Sequence, residues 1–144
     1  MKEIFGNIWD YSEDPNAYLV IPTNGTTNQH GFAVMGAGIA LQAVMRRSDI
    51  RKRLGNILRT GGNHVFYIDE KHLSFPVKHH WIQKADIILI ERSARELRNL
   101  ASARPNKVFV LARPGCGNGR LKWEDVKPII ENILPDNVHV IDLK

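Results

Sequence analysis

Arg113-Pro-Gly-Cys-Gly-Asn-Gly-Arg-Leu-Lys-Trp123 follows directly on the apolar run Val108-Phe-Val-Leu-Ala112 and leads into an amphipathic stretch that begins near Trp123. Glycines at 115, 117 and 119 permit positive φ and let backbone close around a ligand. Successive N–H groups in such a bend form a concave nest that attracts phosphate. The same composition also suits a plain strand-to-helix connection, so the bend by itself leaves both readings open.

Working outward, strand-like and helix-like segments alternate. Lys2 to Gly6 reads as a short strand, Gly6 to Asp10 as a loop, and Ala17-Tyr-Leu-Val-Ile21 as a strand buried on both faces, halted at Pro22. A polar, glycine-bearing segment from Thr23 to Gly31 leads through Phe32 to Gly38, and from Ile39 the apolar spacing turns helical, with Gly36 and Gly38 at the helix entry. His64 to Ile68 and Leu73 to Pro76 read as extended pieces. Ile87, Ile90, Ala94, Leu97 and Ala101 step by three or four residues and predict a helix that Arg104-Pro105-Asn106 ends. Trp123, Val126, Ile130, Ile133 and Leu134 predict a last helix, with Pro128 in its first turns or at a kink, and Val138 to Asp142 a last strand. This alternation predicts an α/β fold whose sheet is covered on both faces.

The chain has 144 residues, 43% hydrophobic and 24% charged, which suits one soluble globular domain over residues 1–144 and excludes a disordered chain. A net charge of +5 is compatible with an anionic partner such as a nucleotide or nucleic acid. The basic run Arg46, Arg47, Arg51, Lys52, Arg53 suits a solvated helix face, or phosphate contacts if the substrate is nucleic acid. One cysteine excludes an intrachain disulfide framework. There is no apolar run of about 18 residues and no signal-peptide core after Met1, so the expected location is the cytoplasm, with no membrane partner. His79-His80 lacks metal-ligand spacing and no paired cysteines exist; neither a metal nor a cofactor is expected.

Neither glycine pattern is a generic nucleotide motif. No G-x-x-x-x-G-K-[ST] is present, and no G-x-G-x-x-G follows the first strand with an acidic residue about twenty positions on. Instead, Val-Ile-Pro-Thr-Asn at 20–24 with Val-Met-Gly-Ala-Gly-Ile-Ala at 34–40 resembles the first ligand loop of macrodomains, and the stretch at 113–123 resembles their second. Phe-Pro-Val-Lys-His-His-Trp at 75–81 is similar to the branch that holds the terminal ADP-ribose protein glycohydrolases and the antitoxin that strips ADP-ribose from DNA. The resemblance runs nearly end to end. It implies a three-layer α/β/α sandwich around a mixed, mostly parallel sheet, and a monomer that binds ADP-ribose.

Carried over by position, the resemblance implies that Asn24 contacts the distal ribose. Gly36, Ala37, Gly38 and Ile39 wrap that ribose and a phosphate, while Pro114, Gly115, Cys116, Gly117, Asn118 and Gly119 hold the diphosphate. Asn7 and Ile8 approach the adenine, and Lys78 falls on the lysine assigned as catalytic through a covalent adduct at the anomeric carbon. Two positions depart. Ile21 replaces an asparagine common in macrodomains, and Gly119 stands where the protein glycohydrolase has an acidic partner for its lysine, which tilts the substrate toward ADP-ribosylated DNA over protein. A non-catalytic reader of ADP-ribose, or a hydrolase of ADP-ribose 1″-phosphate or O-acetyl-ADP-ribose, are the alternatives. An ordinary lysine has a pKa near 10.4 and is protonated, so nucleophilic use requires burial or a neighbouring cation. Cys116 has no sequence-adjacent activating base and suits a tight loop by its size. Phe32, and after it Trp9, are the aromatics considered for stacking on the ligand, against the commoner fate of core packing.

Overall fold

The apolar runs become strands that pair, every pairing parallel, in the order Lys2–Phe5 (β1), Val138–Asp142 (β5), Val108–Ala112 (β4), Ala17–Asn24 (β2) and His72–Lys78 (β3). A computed structural model describes residues 1–143. The helices are α1 (Gly38–Arg46), α2 (Ile50–Gly61), α3 (Ile87–Ser102) and α4 (Trp123–Ile130). The fold is the expected α/β class. Where the sequence reading expected a mixed sheet, these five strands run one way.

Two cores explain the three layers. Side chains alternate across a strand, so in β4 Phe109 and Leu111 pack with Ile90, Leu97, Val126 and Ile130 of α3 and α4. Val110 instead joins Leu19 and Ile21 with Ala43, Ile50 and Leu54 of α1 and α2 on the opposite face. Each such buried aliphatic or aromatic side chain contributes about 1.5–3 kcal/mol. This two-sided burial is why the central strands read as unbroken apolar runs rather than alternating ones.

Four further expectations are corrected. Pro22 does not halt its strand, and β2 runs on to Asn24. The Leu19 N–H donates to Lys71 O on the β3 side, so by alternation the Pro22 nitrogen faces β4, whose pairing with β2 has ended at Val20. No ladder bond is lost there. Second, His64–Ile68 is not a strand; only Tyr67 bridges, antiparallel, to Leu73. The Val65 N–H donates instead to Glu96 Oε1 and the Phe66 N–H to Ser74 Oγ. Third, Ile8–Tyr11 is a 3-10 turn, not an open loop, because Asn7 Oδ1 accepts the Trp9 N–H and caps it. Fourth, the last helix ends at Ile130, with Ile133 and Leu134 buried in the turn beyond it.

Away from the cleft, a buried carboxylate ties α1 to the start of β3. Asp69 Oδ1 accepts the N–H groups of Lys71 and His72, and the carboxylate meets His72 Nδ1 at 2.9 Å and Arg47 at 3.1 Å. Burial alone raises its pKa, but the hydrogen bonds from His72 and the Lys71 backbone outweigh burial and hold it at about 2.

Candidate functional site

Because all five strands are parallel, their C-terminal ends share one edge, where open α/β sheets place ligands. A cleft of about 940 Å³ lies there, lined by the ends of β2, β3 and β4, by Gly6 and Asp142 after β1 and within β5, and by two loops that form facing jaws. Residues 34–40 form one jaw and residues 113–121 the other. Among the sequence-predicted positions, Asn7, Ile8, Asn24, Gly36, Ala37, Gly38, Ile39, Lys78, Gly115, Cys116, Gly117, Asn118 and Gly119 line this cleft. Pro114 does not; it is buried behind the bend.

Local hydrogen bonds build the first jaw. Asn24 Nδ2 donates to Val34 O at 2.9 Å, and its Oδ1 accepts the Thr26 N–H at 2.9 Å, so the side chain staples the long 24–34 loop at its neck. One amide hydrogen and an oxygen lone pair of Asn24 remain for other contacts. The missing side chain of Gly55 on α2 leaves room for the Gly31 carbonyl, and Ala33 N–H donates to Arg51 O, which docks the loop on the helix.

The second jaw is a closed bend. Leu121 N–H donates to Gly115 O at 2.8 Å, and Ala85 N–H donates to Gly119 O at 3.0 Å. Gly115 has φ +77°, and a Cβ on Gly119 would meet Gly115 O at 2.5 Å and Ala85 Cβ at 2.8 Å. No side chain fits at 119. The jaws approach each other where a Cβ on Gly38, φ +58°, would lie 2.9 Å from Asn118 Nδ2. At Gly36 and Gly117, by contrast, a Cβ would meet nothing within 4 Å. Packing does not demand glycine at those two positions.

Lys78 ends β3 between the jaws. Its Nζ donates to Trp81 O at 3.3 Å and Asn118 O at 3.4 Å, tying the β3 end to the bend. Burial, and after it the charge of Arg120, push the Lys78 ammonium below the ordinary lysine range. Cys116 is half-buried, and burial pushes its thiol up to about 11, so it is a thiol and not a thiolate at neutral pH.

Several lining residues were not singled out from the sequence as site residues. Thr23 is buried, and its Oγ1 has no hydrogen-bond partner. Arg113 lies 4.6 Å over the Trp123 ring and pairs with Asp142 at 3.2 Å and Glu3 at 3.7 Å. Trp81 lines the cleft and is 51% exposed. The two aromatics considered for stacking are placed otherwise. Phe32 is outside the lining, and Trp9 is buried, its Nε1 donating to Gln42 and its ring covered by Arg46 at 4.7 Å. Among the described residues no group of three His, Cys, Asp or Glu side chains is placed to hold a metal ion, and no helix is long and apolar enough to cross a membrane.

No protein-family model and no curated protein matches the chain. Solved structures do, and they define the fold as that of a macrodomain. Within that class the chain resembles the macrodomain of DarG. It is 27% identical to that of Thermus aquaticus, with a TM-score of 0.76 over 97% of this chain and 95% of the other. The Mycobacterium tuberculosis DarG macrodomain is likewise 27% identical, with a TM-score of 0.75 over 97% of this chain and 95% of that one. Thermosipho africanus DarTG, solved in complex with ADP-ribose, superimposes with a TM-score of 0.75 at 19% identity, over 98% of this chain and 41% of that longer one.

Proposed function

We propose that residues 1–144 form one ADP-ribose-binding domain that hydrolyses ADP-ribose from modified DNA, with Lys78 as the nucleophile. The observation that carries this reading is the position of Lys78, at the junction of two glycine jaws in a cleft of the size small-molecule sites occupy. ADP-ribose is the ligand in the T. africanus DarTG complex, and the same ligand accounts for the glycines that packing leaves unexplained. Gly36 and Gly117 let backbone N–H groups approach a diphosphate, Asn24 offers its remaining amide hydrogen and lone pair to the distal ribose, and Asn7 and Ile8 flank the adenine end. These contacts hold the distal ribose against Lys78 and convert binding energy into orientation.

In the reaction the neutral Nζ adds to the anomeric carbon, and the bond to the DNA breaks with its electron pair going to the departing DNA atom. That atom takes up the proton the amine gives up. Water then displaces the lysine, which releases ADP-ribose and regenerates the amine. The absence of any space for an acid at Gly119 favours one rival, a reader that binds ADP-ribose without turnover. Incubating the parent chain and Lys78→Ala with ADP-ribosylated DNA and ADP-ribosylated protein decides between them. The expected result is release from DNA by the parent, a loss of at least about 100-fold in Lys78→Ala, and calorimetric binding of ADP-ribose by both. Binding without release from either substrate leaves the reader; no binding of ADP-ribose refutes both.

A further inference from the structure

Beyond Lys78 the cleft opens onto a rim whose chemistry the ADP-ribose reading does not use. Trp81 presents half its surface to solvent there, and Ile82 beside it is 67% exposed. The ring is not on a loose loop. The Trp81 N–H donates to Thr26 Oγ1 at 3.0 Å, and its carbonyl accepts from Lys78 Nζ. The His80 ring lies beside it, with centroids 6.0 Å apart and planes tilted by 33°.

The segments that meet around Trp81 carry the basic residues Lys84 and Arg120. Ala85 N–H binds Gly119 O, which sets the segment carrying Lys84 against the bend carrying Arg120. Arg120 has φ +65°, alone among the described non-glycine residues in being positive, and its N–H donates to Gly117 O at 3.0 Å. Asp86, the carboxylate on the Trp81 segment, is engaged by His79 Nε2 at 3.1 Å and caps α3 through the Ile88 N–H. A held indole with an open face, on a segment that carries Lys84 and docks on the bend that carries Arg120, matches a base and its phosphate; an aliphatic carboxylate side chain offers no aromatic ring to stack on it.

We infer that Trp81 and Arg120 form the subsite for the group that leaves: an unpaired nucleotide of single-stranded DNA, its base stacked on the Trp81 indole and its phosphate paired with Arg120. This rests on the ADP-ribose reading of the cleft and extends it to the substrate's other half. Trp81 is then a specificity-determining residue, since in this reading the distal ribose of free ADP-ribose ends at Lys78 and leaves the exposed face of the indole to the leaving group.

The test uses Lys78→Gln, which arrests turnover while keeping an N–H donor near the Trp81 carbonyl. Calorimetry or fluorescence titration gives its Kd for free ADP-ribose and for a single-stranded oligonucleotide carrying ADP-ribose on a base. Adding Trp81→Ala is expected to weaken the oligonucleotide by about 5- to 150-fold, the range of base–aromatic stacking, and to leave free ADP-ribose within twofold. Trp81→Phe is expected to restore most of the loss, and Arg120→Ala to lessen the salt dependence of oligonucleotide binding. Parallel weakening of both ligands by Trp81→Ala, no weakening of either, or an equal loss with an ADP-ribosylated peptide overturns the subsite. Failure of free ADP-ribose to bind any variant, the parent chain included, overturns the cleft reading itself and the subsite with it.

Discussion

Gly119→Asp supplies the carboxylate that the sequence resemblance to protein glycohydrolases implies at this position, and it is expected to harm the protein rather than improve it. A Cβ at 119 falls 2.5 Å from Gly115 O, 2.7 Å from Gly115 Cα and 2.8 Å from Ala85 Cβ. Two of these atoms belong to backbone that also carries the Leu121 N–H to Gly115 O bond, so the clash cannot be relieved by a rotamer change. Forcing extra atoms into such packing costs about 1–3 kcal/mol, which for a chain of this size is about 3–9 °C in Tm. Because the displaced backbone is the second jaw, ADP-ribose affinity falls with stability, by about tenfold or more. Thermal unfolding followed by circular dichroism gives the first quantity and calorimetric titration the second. A Gly119→Asp protein with the parent's Tm and the parent's affinity would show that the bend has slack the packing argument denies. A gain of activity on ADP-ribosylated protein would show that the acid alone was missing.

Three further outcomes are expected. With Lys78 lowered by burial and then by Arg120, and with the neutral amine reactive, the rate rises with pH along a limb below the ordinary lysine range; Arg120→Ala moves that limb to higher pH, and a pH–rate profile that does not move refutes the coupling. Cys116, its thiol held at about 11, is expected to react slowly with iodoacetamide at pH 7.5, and Cys116→Ser to keep turnover within twofold. Asp69, held at about 2 against about 3.9 unfolded, contributes stability that is complete above about pH 4 and lost as pH falls toward 2. Asp69→Asn is therefore expected to lose about 2 kcal/mol at pH 7 and to flatten the denaturant midpoint between pH 4 and 2.

What the sequence revealed follows the range over which each feature is determined. Val108–Ala112 and Ile87–Ser102 match expectation because burial on both faces, or on one helical stripe, writes a local period into the residues. Pro22 misled because the residue marks where a strand lacks a neighbour, and that neighbour, β4, lies almost ninety residues away. His64–Ile68 misled for a similar reason. Its β-type composition is real, but Glu96 and Ser74 take the N–H groups that a strand partner would have taken. In the site, the glycine jaws and Lys78 stand out within their motifs, whereas Thr23 and Arg113 lie inside the stretches 20–24 and 113–123 without a residue type that marks them as cleft-lining. They reach the cleft only because parallel pairing brings the ends of β2, β4 and β5 to one edge. Trp81 was legible as a residue and not as a surface, since exposure is a property of what fails to pack on it.

The glycine bend that first marked the fold also orients Lys78, the nucleophile of the proposed reaction. A neutral lysine amine has two N–H bonds and one lone pair, and two carbonyl oxygens face Lys78 Nζ, those of Trp81 and Asn118. If each takes one N–H, the tetrahedral position left over belongs to the lone pair. A protonated amine would hold a third N–H there, with Arg120 opposing its charge. The Asn118 carbonyl is fixed because Gly115 and Gly119 close the bend around it, and the Trp81 carbonyl because Thr26 holds the peptide before it. Orientation of the amine is thus set by backbone on both sides. In the proposed reaction, a substitution that opens the bend is expected to act on the Lys78 amine through Asn118 O as well as on phosphate binding, which separates it from Trp81→Ala, where the carbonyl stays and only the ring is lost.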